Sequence, residues 1–288
     1  MTKNYFLLGV GSQKCGTSWL HNMISQSANV DMGIAKEYHI HDARTIPECA
    51  GFKRRAQKRL SGLKARGETN SAGPKLQLIL DFHRDENVYY DYFQGLVAPG
   101  NIHVTGDFTP SYCGLSAETF RGIDEQLTNR GMTTKVVFLM RDPVERSWSA
   151  VRMSRRELQR KNPKRQFEQT EMEQLKDIYA SPVYQLRSDY AATLKNLSAA
   201  FPEERVFIEF YETLFSQDVI NRLCEFVEID PIQADLGKFV NVSPKVTTIS
   251  EDIAEEIATY YAASYHEVAN RFGTEKVKSI WQSARFVL

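Results

Sequence analysis

Residues 5–18, YFLLGVGSQKCGTS, carry the reading that decides the fold. Tyr5 to Val10 is a short, unbroken apolar run ending in glycine, the pattern of a parallel strand covered on both faces. Gly11 to Gly16 reads as a loop. From Thr17 onward Trp19, Leu20, Met23 and Ile24 fall at helical spacing. Strand, glycine loop and helix in direct succession make a phosphate cradle, because the loop N–H groups and the positive helix end point at one place. The glycine spacing and the terminal serine match a nucleoside-triphosphate loop, yet Thr17 stands where its lysine belongs and the lysine has moved to Lys14. The strand at 134–140 ends in Arg141-Asp142-Pro143, a cation where a magnesium-binding carboxylate is expected. Phosphate binding is therefore expected without magnesium and γ-phosphate chemistry.

Working outward, 101–106 and 134–140 read as further core strands separated by a helix at 116–130, and 205–210 as another. This βαβ alternation predicts an α/β fold: a P-loop-type central parallel β-sheet flanked by helices, in a single domain over 1–288. Helices are expected from Pro74 to about Val97, at 181–201 and at 218–227. Helical excursions fall at about 52–97 and 152–180, and a C-terminal helix at about 250–272 closes the chain. The segment 155–176 is charged and broken by Asn162-Pro163, an exposed excursion, and 228–249 is a long irregular stretch.

Thirty-six basic residues balance thirty-six acidic ones, so there is no global positive field for nucleic acid or an anionic membrane, and any anion site must be local. The four cysteines lack CxxC spacing, which argues against a zinc site and a disulfide framework and for a reducing compartment. The first apolar run is too short for a membrane span and lacks the features of a signal peptide, so a cytoplasmic protein is expected.

The loop Gly11 to Ser18 has the form G-x-x-K-x-G-T-[ST]. In residues 135–149, KVVFLMRDPVERSWS, a strand ends in Arg141, a helix follows, and Ser149 comes eight residues after the arginine. Together these resemble the 5'-phosphosulfate and 3'-phosphate elements of the sulfotransferase superfamily. Lys36-Glu37-Tyr38-His39, the stretch 106–112 (GDFTPSY), Ser188-Asp189-Tyr190 through Phe201-Pro202, and 206–214 resemble the carbohydrate and heparan-sulfate branch. The resemblance runs in order through about the first 230 residues. The chain departs from that branch at Ile40-His41, where two aromatics are usual, and at Asp107, where glutamate is common.

The resemblance implies 3'-phosphoadenosine 5'-phosphosulfate as donor, 3'-phosphoadenosine 5'-phosphate as product, and no metal. Lys14 would sit at the bridging oxygen. The backbone of Cys15, Gly16, Thr17 and Ser18 and the hydroxyls of the last two would hold the 5'-phosphate, with Trp19 beside the nucleotide. Arg141 and Ser149 would hold the 3'-phosphate, and Lys245 is the candidate from a C-terminal basic loop. Glu37 is the expected general base, with His39 as the other candidate and a possible acceptor contact. Asp107 and Tyr112 are expected to border the acceptor pocket, the other reading being a capped turn. The cationic stretches 53–66 and 152–165 are either walls for an anionic acceptor or solvated faces. A carbohydrate hydroxyl is the favoured acceptor, with small alcohols open. A P-loop small-molecule kinase would need lysine at 17 and an acidic magnesium ligand. A non-catalytic nucleotide- or polyanion-binding module is the remaining alternative.

Overall fold

A computed structural model describes residues 3–68, 72–236 and 248–288. Its sheet has four strands, β1 (Asn4–Gly11), β2 (Val104–Phe108), β3 (Met132–Met140) and β4 (Val206–Phe210), in the order β2-β1-β3-β4 with every pair parallel. From Tyr5 to Gly11 every residue of β1 is buried, as a central parallel strand requires. Alternate side chains serve opposite layers. Phe6, Leu8 and Val10 pack with Phe120, Ile123, Leu127, Leu194 and Leu197, whereas Tyr5 and Leu7 pack with Leu20, Met23, Ile24, Ile220 and Leu223. The result is a single α/β domain with helices on both faces of the sheet. Among the described residues no helix is long and apolar enough to cross a membrane.

The order β2-β1-β3 means that the chain leaves β1 for one neighbour and later returns to the other side. That makes a topological switch point at the C-terminal end of β1, where open α/β sheets place ligands. Helix α1 (Thr17–Ile24) follows β1, and α2 (Gly51–Ala65) carries the basic segment. Helix α3 (Pro143–Lys161) follows β3 and is capped by Asp142, whose carboxylate accepts the Val144 N–H at 3.0 Å.

Several boundaries differ from the sequence reading. The helix expected from Pro74 to Val97 breaks at Asp85, whose side chain caps a second helix through the Asn87 N–H at 2.9 Å. The helix expected at 181–201 breaks likewise where Asp189 caps Tyr190–Ala200. The last helix divides at Tyr261, and the chain continues through Thr274–Ile280 to bury Trp281. Helix α3 runs through Arg155 to Lys161 before a new helix starts at a Thr170–Glu173 capping box. Strand β2 extends to Phe108 because it pairs with Gly9 of β1, so Asp107 lies on the strand and not beyond it.

Candidate active site

The loop after β1 is held from two sides. Ser12 donates its N–H to Leu139 O of β3 at 2.7 Å and its hydroxyl to Arg187 O at 2.5 Å. Gly16 adopts φ 91°, and a Cβ there would stand 2.3 Å from Leu214 Cδ2, so only glycine fits. Lys14 itself has φ 71°, an unusual conformation for a side-chain-bearing residue. The first N–H groups of α1, at Thr17 and Ser18, have no intrahelical acceptor by helix geometry, and the first turn carries no acid to compete for them.

Two expectations for this loop are corrected. The Cys15 N–H donates to Ser12 O at 3.2 Å, so it is committed within the loop. The Trp19 side chain is 2% exposed and packs edge-on to Phe215 in the core, which leaves no open indole face for a nucleotide.

Beside this loop, at the end of β3, Arg141 is fixed through its backbone: Tyr190 OH donates to its carbonyl at 2.8 Å and accepts its N–H at 3.3 Å. The guanidinium lies 4.1 Å over the Tyr211 ring, reaches Lys14 O at 3.4 Å, and donates to Glu145 at 3.1 Å. Glu145, Ser149, Arg152 and Arg156 follow at spacings of four, three and four along α3, one face of the helix. Ser149 is buried on it. The sequence reading left Arg152 in a stretch that is either a wall for the acceptor or a solvated face; here it is buried and shares a charge cluster with Lys14 and Arg141. Burial, and then repulsion from Arg156, Arg141 and Arg152, lowers the Lys14 pKa to about 8. Nε of Arg141 and Nε and Nη1 of Arg152 are buried without an acceptor among the described residues. An unpaired buried donor costs about 1–3 kcal/mol, more when charged, so this cluster has the charge and the free donors to take an anion.

Across from the loop, residues 36–42 gather the acidic side. Lys36 Nζ donates to Glu37 at 2.8 Å and to Thr17 Oγ1 at 3.1 Å, joining this segment to α1. His39, also at positive φ (56°), has Nε2 3.4 Å from Glu37 and Nδ1 2.7 Å from Asp42. Asp42 is fully buried and also accepts the Ser111 hydroxyl at 2.6 Å. The His39 ring stacks on Phe52 of α2 at 3.4 Å between centroids, and Arg55 lies over the other part of that sandwich, 4.1 Å from the Phe52 ring. Burial alone would raise the Glu37 pKa, but the hydrogen bond from His39 and the Lys36 ammonium outweigh it and bring it to about 2. Burial would lower the His39 pKa, but Asp42 and Glu37 outweigh it and raise it above 6.5. Asp42 and Phe52 were given no role from sequence, and Lys36 only its place in the 36–39 motif; the i, i+3 spacing of His39 and Asp42 is a local signal that was available.

Asp107 and Tyr112, expected at the acceptor pocket, are fully buried beneath this segment. Asp107 accepts the hydroxyls of Tyr89 (3.0 Å), Tyr112 (2.8 Å) and Thr109 (2.6 Å), while burial still pushes its pKa up to about 6. Thr109 Oγ1 in turn accepts the N–H groups of Tyr38 and His39 at 3.0 and 3.3 Å, and Tyr112 OH accepts that of Ile40 at 3.2 Å. These residues hold the 36–42 segment in place; neither offers a surface to an acceptor. Lys245 lies outside the described residues.

Fold and site define an α/β protein of P-loop type with a cationic cluster beside an acid–histidine cluster. The family model described as "Sulfotransferase family" matches residues 7–234, and the chain belongs to that family. In structure it is similar to a sulfotransferase from Alicyclobacillus acidocaldarius, with TM-score 0.59 and 18% identity over 93% of this chain and 95% of that one. It is also similar to a sulfotransferase domain from the curacin biosynthetic pathway, with TM-score 0.48 and 16% identity over 94% and 98%. A search of curated protein sequences returns no match.

Proposed function

We propose that the protein transfers a sulfuryl group from 3'-phosphoadenosine 5'-phosphosulfate to an acceptor hydroxyl by in-line displacement, without a metal. The observation that carries this reading is the cluster of Lys14, Arg141 and Arg152, with guanidinium N–H groups that lack an acceptor among the described residues, at the switch point of the sheet. The N-terminus of α1 and Lys14 would hold the 5'-phosphate, and Arg141 with Ser149 the 3'-phosphate. As the acceptor oxygen bonds to sulfur and the bond from sulfur to the bridging oxygen breaks, Lys14 neutralises the charge that develops on the leaving phosphate.

The proton leaving the acceptor needs a base. Glu37, with a pKa near 2 and an ammonium already on it, is a weak one. His39, whose pKa is raised, is the stronger base: Asp42 holds its Nδ1, and Glu37, 3.4 Å from Nε2, stabilises the proton that this nitrogen takes up. Glu37 and Lys36 then orient the ring and tie it to Thr17 of the phosphate loop. For the acceptor, a carbohydrate hydroxyl on an acidic chain fits best. Helix α2 carries six lysines and arginines and no acid, and it begins at the Phe52 that stacks on His39.

Calorimetric titration with 3'-phosphoadenosine 5'-phosphate, set against ATP with magnesium, tests the donor. Tighter binding of the bisphosphate is expected. Preference for ATP and magnesium would return a P-loop kinase to first place.

A further inference from the structure

We propose that Arg152 makes this site select a nucleotide carrying a 3'-phosphate, its guanidinium closing on the same phosphate group as Arg141 and Ser149. The inference rests on the donor reading above and adds a residue to it. Ser149 and Arg152 are three apart on α3 and therefore share a face. Long side chains on a helix lean back toward its N-terminus, and Arg152 does so: its Cζ stands 4.2 Å from the centre of the Trp148 ring, one turn back along α3. The residue is 5% exposed, and both Nε and Nη1 lack an acceptor among the described residues.

The neighbouring carboxylates are engaged elsewhere. Glu171 accepts the Trp148 indole N–H at 3.3 Å, and Glu145 accepts Arg141 Nη2 at 3.1 Å. Arg141 has an unpaired Nε of its own, so two guanidinium groups present three donor nitrogens that nothing among the described residues answers. A phosphate has the charge and the acceptor oxygens to engage both forks. The 5'-phosphate is already served by α1 and Lys14 at the end of β1. What remains for Arg152, on the α3 face that carries Ser149, is the 3'-phosphate. That makes Arg152 a discriminator between a 3',5'-bisphosphate and a 5'-monophosphate, and its loss should cost one nucleotide and spare the other.

Wild type, Arg152→Gln and Arg152→Lys are titrated with adenosine 3',5'-bisphosphate and with adenosine 5'-monophosphate, after circular dichroism and melting curves establish that each is folded. Glutamine should weaken the bisphosphate about 10- to 100-fold and the monophosphate less than about twofold. Lysine, which keeps the charge and loses the fork, should give an intermediate loss of the same selectivity. Should the glutamine variant fail to fold, the lysine variant alone reads the ratio. Equal weakening of both nucleotides, or an unchanged ratio, would overturn the assignment. A wild-type protein with no preference for the bisphosphate would instead sink the donor reading itself, before any variant is compared.

Discussion

Beyond the C-terminal end of β1, Lys14, Arg141 and Arg152 share a charge cluster, and both guanidinium groups carry donors with no acceptor among the described residues. On the other side of the cleft, hydrogen bonds run from Glu37 through His39 and Asp42 to Ser111, and a second set links Asp107, Thr109 and Tyr112 to the backbone of the same segment. The cationic side leaves buried donors without acceptors among the described residues, and in the proposed reading a ligand completes it. The acid–histidine side is finished by the protein. This division teaches which substitutions should change binding and which should change turnover alone.

The sharpest break is Lys14→Ala. It removes the cation from the phosphate loop, and we expect transfer to fall about 10³-fold together with a weaker donor, read from single-turnover rates and calorimetry. Wild-type rates in that variant would remove the loop from the chemistry. His39→Asn should lower kcat by about 10² or more while donor affinity stays within about twofold. Glu37→Gln should cost less than His39→Asn; the reverse order would make Glu37 the base.

The two sides also titrate in opposite senses. His39 is protonated below its raised pKa and accepts nothing there, so activity should rise with pH through a value above 6.5. Lys14 loses its proton above about 8, so kcat/KM for the donor should fall roughly tenfold per unit beyond it. In kcat that second limb should move to higher pH, because a bound anion favours the ammonium. Lys14→Arg should abolish the limb, since guanidinium does not titrate in this range. A falling limb that survives in the arginine variant would assign it to another group.

How much of this was legible without coordinates follows the same division. The phosphate loop is a local object: strand, glycines and helix start are contiguous, and Arg141 to Ser149 repeats the arrangement on the neighbouring strand. Residues 11–18 and 141–149 therefore announce their chemistry. The other side is assembled from pieces far apart in the chain, with Ser111 meeting Asp42 across 69 residues and Thr109 meeting Tyr38 across 71. No local pattern encodes such pairs. Asp107 was placed in the acceptor pocket because its strand was expected to end one residue earlier; the pairing with β1 carries the strand on and takes the carboxylate inside. Arg152 was read as part of a charged excursion, and only the fold buries it and brings its charge near Lys14 and Arg141. The breaks at Asp85 and Asp189 were available as capping residues but were masked by the helical periodicity on either side.

The smallest effect tests the support beneath the acidic side. Asp107→Asn conserves shape, but its amide offers a single acceptor oxygen where the carboxylate now receives three hydroxyls, so at least one of Tyr89, Thr109 and Tyr112 must turn away. If Thr109 turns, the N–H groups of Tyr38 and His39 lose their common acceptor and the segment carrying Glu37 and His39 loosens. A loss of about 1–3 kcal/mol in stability is expected from the unpaired buried groups, with kcat several-fold lower. Affinity for the bisphosphate should not change, because no atom of this network belongs to the cationic side. A parallel fall in nucleotide affinity would show that the two sides of the cleft are one cooperative unit, joined through the bond from Lys36 to Thr17.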